Sequence, residues 1–462
     1  MNKTKKVLLL NPPGNKKFLR DCYCSHISKG SYYWPPYDLL AISGILSDSH
    51  NLFAIDCIAQ NIKNNECIEI IQRINPDNII FLTGVVSRKY DELFIKEIKI
   101  TFPNVKIALT GDFLLEEKEL YFKCNDYIDA IFLDFTCPEI LDYINDNLNK
   151  SICNLLIRDK EIDLNYNDNF QFSIGLPRHD LFNFKYHSLP HMRRYPLATI
   201  MTALGCPFAC YFCQQENVKY KMRELKEVFA ELDYFHTHNY KEIWFKDLSF
   251  GTNEKHYNEI CNYLIEKKYN FSWSCEIRAD TISENKLELM RKAGCHSVFI
   301  GVETPNEKVL ASFNKKIPLI TTINAFDLCK KYGIKTIAHF IIGLPGETEQ
   351  TIKELIDFAI KLDPHYCAFN IATPAPNSTF KKLSMKNNWI DSKIDTYDNS
   401  ISFPILNTET LKAEKLWKLK KDADKKFYFR VGYIFKQLKE INSVYEISNK
   451  LKNLYNYFCH HF

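Results

Sequence analysis

Two long parts of this 462-residue chain alternate short apolar segments with segments of helical periodicity. In the first part, strands are predicted at residues 6–11, 51–56, 78–86, 105–110 and 130–133, and helices at 37–48, 66–74, 90–101 and 138–148. Short strands that are separated by helices indicate a parallel sheet with helices on both faces. We therefore predict an α/β fold in which residues 1–149 form a doubly wound parallel sheet.

The alternation resumes at residue 197, after a polar and less regular stretch. Strands are predicted at residues 197–204, 242–246, 271–276, 297–303, 335–343 and 367–372, with helices between them. Six strand–helix units predict a partial (β/α)6 barrel over residues 196–380, with chemistry at the carboxyl ends of its strands. We interpret residues 150–195 as a linker and residues 381–462 as a helical, basic C-terminal region.

The charge balance and the apolar runs narrow the classes of partner. The chain has 60 Lys and Arg against 56 Asp and Glu, and a net charge of +4 is too small to indicate a nucleic-acid or membrane-surface partner. No apolar run approaches the roughly 20 residues that span a bilayer, and the N-terminus lacks the apolar core of a signal peptide. We therefore expect a cytoplasmic protein without a membrane span, whose cysteines are buried hydrophobes or metal ligands.

A cysteine motif directly follows the first predicted strand of the barrel. It reads Gly205-Cys206-Pro-Phe-Ala-Cys210-Tyr-Phe-Cys213, with no further cysteine or histidine close by to complete a four-ligand site. A structural zinc ion normally has four protein ligands, whereas three cysteines suit a [4Fe–4S] cluster with one iron left open. The alternatives are three packing cysteines or a zinc ion with a distant fourth ligand.

The motif Cys206-x3-Cys210-x2-Cys213 resembles the cluster motif of the radical S-adenosylmethionine (radical SAM) superfamily. Gly301-Val-Glu-Thr304 and the run from Phe340 to Thr348 are similar to the superfamily's fourth- and fifth-strand patterns. The lead-in over residues 177–213, the tail motif Phe427-Tyr-Phe-Arg430 and the N-terminal sheet resemble the subgroup with a cobalamin-binding domain. The resemblance covers nearly the whole chain.

This resemblance implies that S-adenosylmethionine binds the open iron and that one electron cleaves it to give a 5′-deoxyadenosyl radical. Polar residues at the predicted strand ends are then the candidates for holding S-adenosylmethionine. They are Asp247 for the amino group, Glu276 at the third strand end, Arg278 and Lys315 for the methionine carboxylate, Glu303 for the ribose hydroxyls and Gly343 for the adenine. For each charged residue, the alternative is a solvated or salt-bridged loop charge.

The N-terminal sheet raises the question of cobalamin. Modules of this kind often carry Asp-x-His-x-x-Gly after the first strand, but residues 11–20 here contain neither the aspartate nor the histidine. Many members of the subgroup lack that histidine, so the resemblance still implies cobalamin as a second cofactor. Ser87 and Gly111 are then expected near its nucleotide tail. The alternative is a vestigial sheet that holds only the substrate.

The resemblance favours cobalamin-dependent methylation of an unactivated carbon in a small molecule, with a reductant such as flavodoxin or ferredoxin. A radical oxidative cyclase or rearrangement enzyme of secondary metabolism is the second possibility. The alternative from another class is a non-catalytic iron–sulfur electron carrier or sensor. An electron carrier needs neither an open iron nor a barrel with charged strand ends, so we favour the enzyme.

Overall fold

The computed structural model describes residues 4–23, 25–28, 30, 32–147, 154–158, 170–391, 403–441 and 445–452. The chain forms two compact units. The N-terminal unit comprises Met1–Ser28, Tyr33–His187 and Lys221–Glu231, and the C-terminal unit comprises Lys29–Tyr32, Ser188–Tyr220 and Leu232–Phe462.

The N-terminal unit is built on a six-stranded sheet. Its strands are β1 (Lys6–Asn11), β2 (Asn51–Asp56), β3 (Asn78–Thr83), β4 (Lys106–Gly111), β5 (Ala130–Phe132) and β6 (Leu155–Ile157). Their spatial order is β2-β1-β3-β4-β5-β6, with the first five parallel and β6 antiparallel to β5. Strand β3 is buried along its whole length, as expected for a strand that is covered on both faces. The predicted doubly wound sheet is confirmed.

Helices and short segments complete this unit. The helices are α1 (Tyr37–Leu46), α2 (Cys57–Gln60), α3 (Asn64–Ile74), α4 (Arg88–Thr101), α5 (Leu114–Cys124), α6 (Glu139–Ile144) and the first half of α7 (Leu225–Thr237). Shorter elements are the antiparallel pair Phe18–Leu19 and His26–Ile27, the parallel pair Gln171–Phe172 and Lys221–Arg223, and the single 3-10 turns His179–Leu181 and Phe184–Tyr186. The loop between β1 and α1 is therefore folded as a hairpin.

The C-terminal unit contains a second six-stranded sheet, in which all strands are parallel. Its strands are β7 (Leu197–Ile200), β8 (Glu242–Phe245), β9 (Ser272–Ile277), β10 (Cys295–Glu303), β11 (Lys335–Ile342) and β12 (Tyr366–Ile371), in this spatial order. Within the described ranges, β7 and β12 do not pair with each other, so the barrel is open. This confirms the predicted partial barrel.

Helices surround this second sheet. They are the second half of α7, α8 (Glu254–Glu266), α9 (Glu284–Lys292), α10 (Glu307–Ser312), α11 (Leu319–Lys331), α12 (Glu349–Leu362), α13 (Thr379–Lys386), α14 (Ala413–Tyr428) and α15 (Val431–Lys439), with a 3-10 turn at Ala279–Thr281 and a further helix over residues 445–452. Helix α14 packs against β12 through Phe427, whose ring centre lies 6.1 Å from that of Phe369. None of the helices in the described part of the chain combines the length and the apolar character needed to cross a membrane.

Several elements differ from the sequence predictions, among them helix α5, which was not predicted. The strand predicted at residues 197–204 is interrupted after Ile200, because the backbone N–H of Thr202 donates to the side chain of Asp247 instead of continuing the strand. Residues 155–157, inside the segment interpreted as a linker, add the antiparallel edge strand β6. The sequence did not predict this strand, because three residues are too few to show the two-residue period of a strand.

Candidate active site

The three motif cysteines lie on a loop, residues 205–216, that follows β7. We call it the cluster loop. Gly205 begins it at φ +74°, and a Cβ atom there would lie 2.5 Å from the carbonyl oxygen of Lys219, so a side chain is excluded. The N–H of Cys213 donates to the carbonyl of Cys210 at 2.9 Å, and that of Gln215 points to the Cys213 Sγ at 3.4 Å. The backbone thus turns tightly around the cysteines and supplies an N–H donor to one sulfur.

Burial governs the chemistry of these thiols. It raises the pKa of Cys206 and of Cys210, and it raises the pKa of Cys213 to about 12. In the described part of the chain no three ligand-type side chains meet closely enough to hold a single metal ion. A [4Fe–4S] cluster does not need such a close meeting of side chains, because each of its thiolate ligands binds a different iron.

Other segments of the same unit hold the cluster loop from two sides. The Tyr211 N–H donates to the carbonyl of Phe313 at 3.0 Å, and the Asn314 side chain donates to the carbonyl of Ala209 at 2.7 Å. On the other side, Glu216 accepts from the N–H and the hydroxyl of Thr379 at 2.8 and 2.7 Å. The loop conformation is therefore fixed by protein contacts.

Arg278 places a positive charge against the cluster loop. Its guanidinium lies 3.6 Å from the ring centre of Phe208, and its Nη1 is 3.8 Å from the Cys210 Sγ. Asp280 binds the other side of the guanidinium through two hydrogen bonds, at 3.0 and 2.9 Å. The resemblance assigned Arg278 to the methionine carboxylate of S-adenosylmethionine, and in the structure its guanidinium is bound by Asp280.

Glu303 and Lys315 form a buried ion pair on the other side of the cluster loop. Lys315 Nζ lies 2.6 Å from Glu303 Oε1 and 2.8 Å from the carbonyl oxygen of Gly301, and 6.0 Å from the ring centre of Phe212. Glu303 adopts φ +62°, which costs free energy for a residue with a side chain and is typical of functional sites. The structure brings these two predicted residues together at the carboxyl end of β10.

Gly301 explains how the ion pair fits so closely against β10. A Cβ atom at Gly301 would lie 2.4 Å from Glu303 Oε1 and 2.9 Å from Lys315 Nζ. Any side chain at this position would therefore displace both charged groups. The glycine in the Gly-Val-Glu-Thr motif is needed for the position of the pair.

Asp247 has a role that the sequence analysis did not expect. Its carboxylate accepts from the backbone N–H of Thr202 at 2.6 Å and from the Thr202 hydroxyl at 2.5 Å. Both oxygens therefore hold the segment that leads from β7 into the cluster loop. Burial raises the pKa of Asp247, and the hydrogen bonds from Thr202 lower it in part.

Glu276 lies on the face of β9 that lines the interior of the barrel. Its neighbours along the strand, Trp273, Cys275 and Ile277, are buried and point to the opposite face. Cys275 has Cys261 of α8 as a neighbour, so that opposite face is the one covered by helices. Glu276 is half-buried and projects toward the interior of the barrel.

The turn at Gly343, after β11, carries a buried carboxyl group, that of Glu347. Gly343 has φ +90°, and its N–H and that of Leu344 donate to Glu347 Oε2 at 2.8 and 3.1 Å. A Cβ atom at Gly343 would lie 2.3 Å from a methyl group of Leu416 in α14. Burial raises the pKa of Glu347 from 4.5 to about 7, although these N–H donors lower it in part.

We expect Glu347 to make stability depend on pH. Between pH 4.5 and about 7 the folded protein holds a proton that the unfolded chain releases. The contribution of Glu347 to the free energy of unfolding should therefore fall by about 3 kcal/mol as the pH rises through this window, and level off above it. Other buried groups also titrate here, so the quantity to measure is the difference in free energy of unfolding between the wild type and Glu347→Gln, by denaturant unfolding at several pH values; this difference should fall by the same amount.

The matched control for this prediction is Glu349→Gln. Glu349 is exposed, and ion pairing with Lys415 and Lys353 lowers its pKa, so its proton is lost below the same window. Its unfolding curve should follow that of the wild type between pH 5 and pH 8. Parallel curves for Glu347→Gln and the wild type would contradict a shifted pKa at Glu347.

A buried polar network occupies the carboxyl edge of the sheet in the N-terminal unit. The Arg20 guanidinium contacts Asp91 at 2.6 Å, Ser87 at 3.0 Å and Asn11 at 2.8 Å, and all of its N–H groups have acceptors once the carbonyls of Pro12 and Pro13 are included. Arg20 thus joins the loop after β1 to the loop after β3. These two strands are neighbours in the sheet, and the strand order changes direction between them.

The two residues predicted to bind cobalamin differ in their surroundings. Ser87 is completely buried, and its hydroxyl accepts from Arg20 and donates to Asp91 at 2.6 Å. Gly111 is half-buried at the end of β4, and a Cβ atom there would lie 2.1 Å from the carbonyl oxygen of Thr83. Ser87 therefore belongs to the Arg20 network, and Gly111 leaves the strand end free of a side chain.

Sequence reasoning did not identify several residues that shape the site. Asp247 binds Thr202, and Arg278 binds Asp280. Asn314 binds the cluster loop, and Glu347 accepts hydrogen bonds from the turn after β11. Asp280 follows Arg278 by two residues, a spacing that could have suggested a local ion pair. The contacts of Thr202 and Asn314 span 45 and 105 residues, so no local pattern could have revealed them.

Comparison with known proteins gives a family for the C-terminal unit. Residues 200–359 match the model of the radical SAM superfamily. An uncharacterized methyltransferase of Pyrococcus horikoshii is 28% identical over 461 residues, which cover 95% of each chain. The anaerobic magnesium-protoporphyrin IX monomethyl ester cyclase of Rubrivivax gelatinosus is 31% identical over 208 residues, which are 44% of this chain and 37% of the cyclase.

The fold also matches a solved structure over most of the chain. It is similar to the radical S-adenosylmethionine methyltransferase TsrM from Kitasatospora setae, solved with cobalamin and a [4Fe–4S] cluster bound. The TM-score is 0.65 at 16% identity, covering 93% of this chain and 86% of TsrM. At this identity the likeness shows a shared fold.

Proposed function

Because residues 200–359 match the model of the radical SAM superfamily, we propose that this chain is a radical SAM enzyme that methylates an unactivated carbon of a small molecule, using S-adenosylmethionine, a [4Fe–4S] cluster and cobalamin. The observation that carries this proposal is the alignment with a methyltransferase over 95% of both chains. It covers both units, whereas the superfamily model covers residues 200–359 alone.

The residues of the cluster loop fit an iron–sulfur cluster with an open iron. Cys206, Cys210 and Cys213 would hold three of its irons, and the N–H of Gln215 already points at one of the sulfurs. When bound, the cluster supplies the electron that cleaves S-adenosylmethionine to methionine and a 5′-deoxyadenosyl radical. Arg278, which lies beside Cys210, lowers the electrostatic cost of thiolates in this buried loop.

Four predicted residues are suited to S-adenosylmethionine in the positions that the structure gives them. Glu303 and Lys315 form a neutral pair that can open to offer a carboxylate to ribose hydroxyls and an ammonium to the methionine carboxylate. Glu276 faces the barrel interior, and Gly343 gives the turn after β11 a backbone without a side chain. Asp247 and Arg278 act as positioning residues that shape the cluster loop.

The carboxyl edge of the N-terminal sheet fits a corrin that lacks the nitrogen ligand of the Asp-x-His-x-x-Gly motif, because residues 11–20, at the end of β1 and in the loop after it, contain no histidine. That loop presents Arg20, a cation whose donors are all used by neighbouring oxygens. Gly111 would contact the corrin, and Ser87 would support that edge through Asp91. When bound, cobalamin supplies a metal that carries a methyl group.

An external electron source completes the proposed reaction. We assign a flavodoxin or ferredoxin as the reductant and place the enzyme in the cytoplasm, where thiols stay reduced. An oxidative cyclase is the second candidate function, and the match to the Rubrivivax cyclase over 44% of this chain favours it.

The test is to identify the products formed from S-adenosylmethionine. The protein is reconstituted with iron and sulfide without oxygen, loaded with hydroxocobalamin, and incubated with dithionite and S-adenosylmethionine. We expect both 5′-deoxyadenosine and S-adenosylhomocysteine, because methyl transfer leaves the latter behind. 5′-Deoxyadenosine without S-adenosylhomocysteine would favour the cyclase, and formation of neither would contradict both candidates.

A further inference from the structure

The exposed apolar side chains of this protein are concentrated near its C-terminus. On α15, Val431, Ile434, Phe435 and Leu438 are between 46 and 69% exposed. Their spacing of three, four and seven residues places them on one face of the helix. On the helix over residues 445–452, Ile447 and Leu451 are four residues apart and are 42 and 60% exposed. We call these six side chains the C-terminal apolar face.

The opposite side of α15 anchors it to the amino end of the second sheet. The Tyr433 hydroxyl and the Gln437 amide both donate to the carbonyl of His365, at 2.8 and 2.9 Å. His365 directly precedes β12, whereas the cluster loop follows the carboxyl end of β7. Helix α15, which carries four of the six side chains, thus lies at the end of the barrel opposite to the cysteines.

Positive charge accompanies the exposed apolar side chains. Residues 413–452 contain eleven Lys and Arg against five Asp and Glu, a net charge of +6, so the other residues together carry −2 of the chain's total of +4. The exposed lysines of this region include Lys425, Lys426, Lys439 and Lys452. The near-neutral balance of the whole chain therefore conceals a basic region.

We propose that the C-terminal apolar face binds the surface of a membrane that contains anionic lipids. Apolar side chains flanked by lysines are typical of helices that lie in a membrane interface, where the lysines meet lipid phosphates. Contacts between proteins are depleted in lysine, which argues against a second copy as the occupant. An electron-carrier protein is disfavoured because the face lies at the end of the barrel away from the cluster loop.

The test is co-sedimentation of the full chain with phosphatidylcholine vesicles, prepared with and without phosphatidylglycerol. We expect binding to the anionic vesicles, weaker binding to pure phosphatidylcholine, and a decrease in binding with added salt. The double variant Ile434→Ser/Phe435→Ser should lower the partition coefficient by about tenfold or more, because two apolar side chains are lost from the interface. Lys439→Glu/Lys452→Glu should weaken binding to the anionic vesicles alone, by about tenfold or more.

The matched control changes exposed apolar residues elsewhere on the molecule. Leu93 and Ile100 of α4 are 72 and 74% exposed, so Leu93→Ser/Ile100→Ser removes comparable surface from the other unit. This variant should bind vesicles as the wild type does. The proposal is overturned if the wild type does not bind anionic vesicles, or if Leu93→Ser/Ile100→Ser loses as much binding as Ile434→Ser/Phe435→Ser. It is also overturned if ultracentrifugation shows a dimer that Ile434→Ser/Phe435→Ser dissociates while vesicles are not bound.

Discussion

Replacing Cys210 with alanine is expected to remove the cluster and reduce 5′-deoxyadenosine formation to background. Cys210 is the central cysteine of the cluster loop, and its sulfur is the one that Arg278 approaches. With two thiolates left, a cube would have two irons without protein ligands and would not be retained. The measurements are iron bound per chain after anaerobic reconstitution and 5′-deoxyadenosine formed with dithionite and S-adenosylmethionine.

The matched control for this variant is Cys261→Ala. Cys261 is also buried in the C-terminal unit, but it lies on α8 among helix contacts. The substitution Cys261→Ala should lower the free energy of unfolding somewhat and leave the iron content and product formation unchanged. Equal iron and equal product in Cys210→Ala and the wild type would contradict the assignment of Cys210 as a ligand.

Replacing Arg20 with methionine is expected to destabilise the N-terminal unit by about 3–5 kcal/mol. The side chains of Arg20 and Asp91 are both fully buried, so removing the guanidinium leaves the carboxylate without its counter-charge. The measurement is the free energy of unfolding of this unit, followed by hydrogen exchange of amides in β1 and β3, because a two-unit chain need not unfold in one step.

Two further variants show whether the loss of stability comes from leaving a buried charge without its partner or from removing any charged side chain. Lys106→Met removes an ion pair with Asp146 whose side chains are 47 and 55% exposed, and should cost less than about 1 kcal/mol. Arg20→Met/Asp91→Leu removes both charges and should recover much of the loss. If Arg20→Met were no worse than Lys106→Met, the network at the carboxyl edge would not hold the loops together.

The sequence predicted the two sheets because strands and helices each have a local period. The five parallel strands of the first sheet and the six of the second follow from apolar runs of a few residues, which burial on both faces requires. Strand β6 escaped prediction because three residues show no period. The hairpin between β1 and α1 is held largely by the contacts of Arg20 with residues far along the chain, such as Asp91.

The candidate site also combines features that the sequence could predict with features that it could not. The cysteine spacing is local, so the sequence alone indicated the three candidate ligands and their loop. The charges at the strand ends were also evident, but their partners were not. Lys315 pairs with Glu303 twelve residues away, and Asp247 binds Thr202 across 45 residues. A charged residue at a strand end can contact a ligand or hold a loop, and only its three-dimensional neighbours distinguish these roles.

The most direct test of the whole account is electron paramagnetic resonance of the reduced, reconstituted wild-type protein before and after addition of S-adenosylmethionine. We predict the signal of a reduced cubane cluster that changes in shape and position when the sulfonium compound binds its open iron. A signal that S-adenosylmethionine leaves unchanged, or a preparation that never takes up a cubane, would contradict the account at its centre.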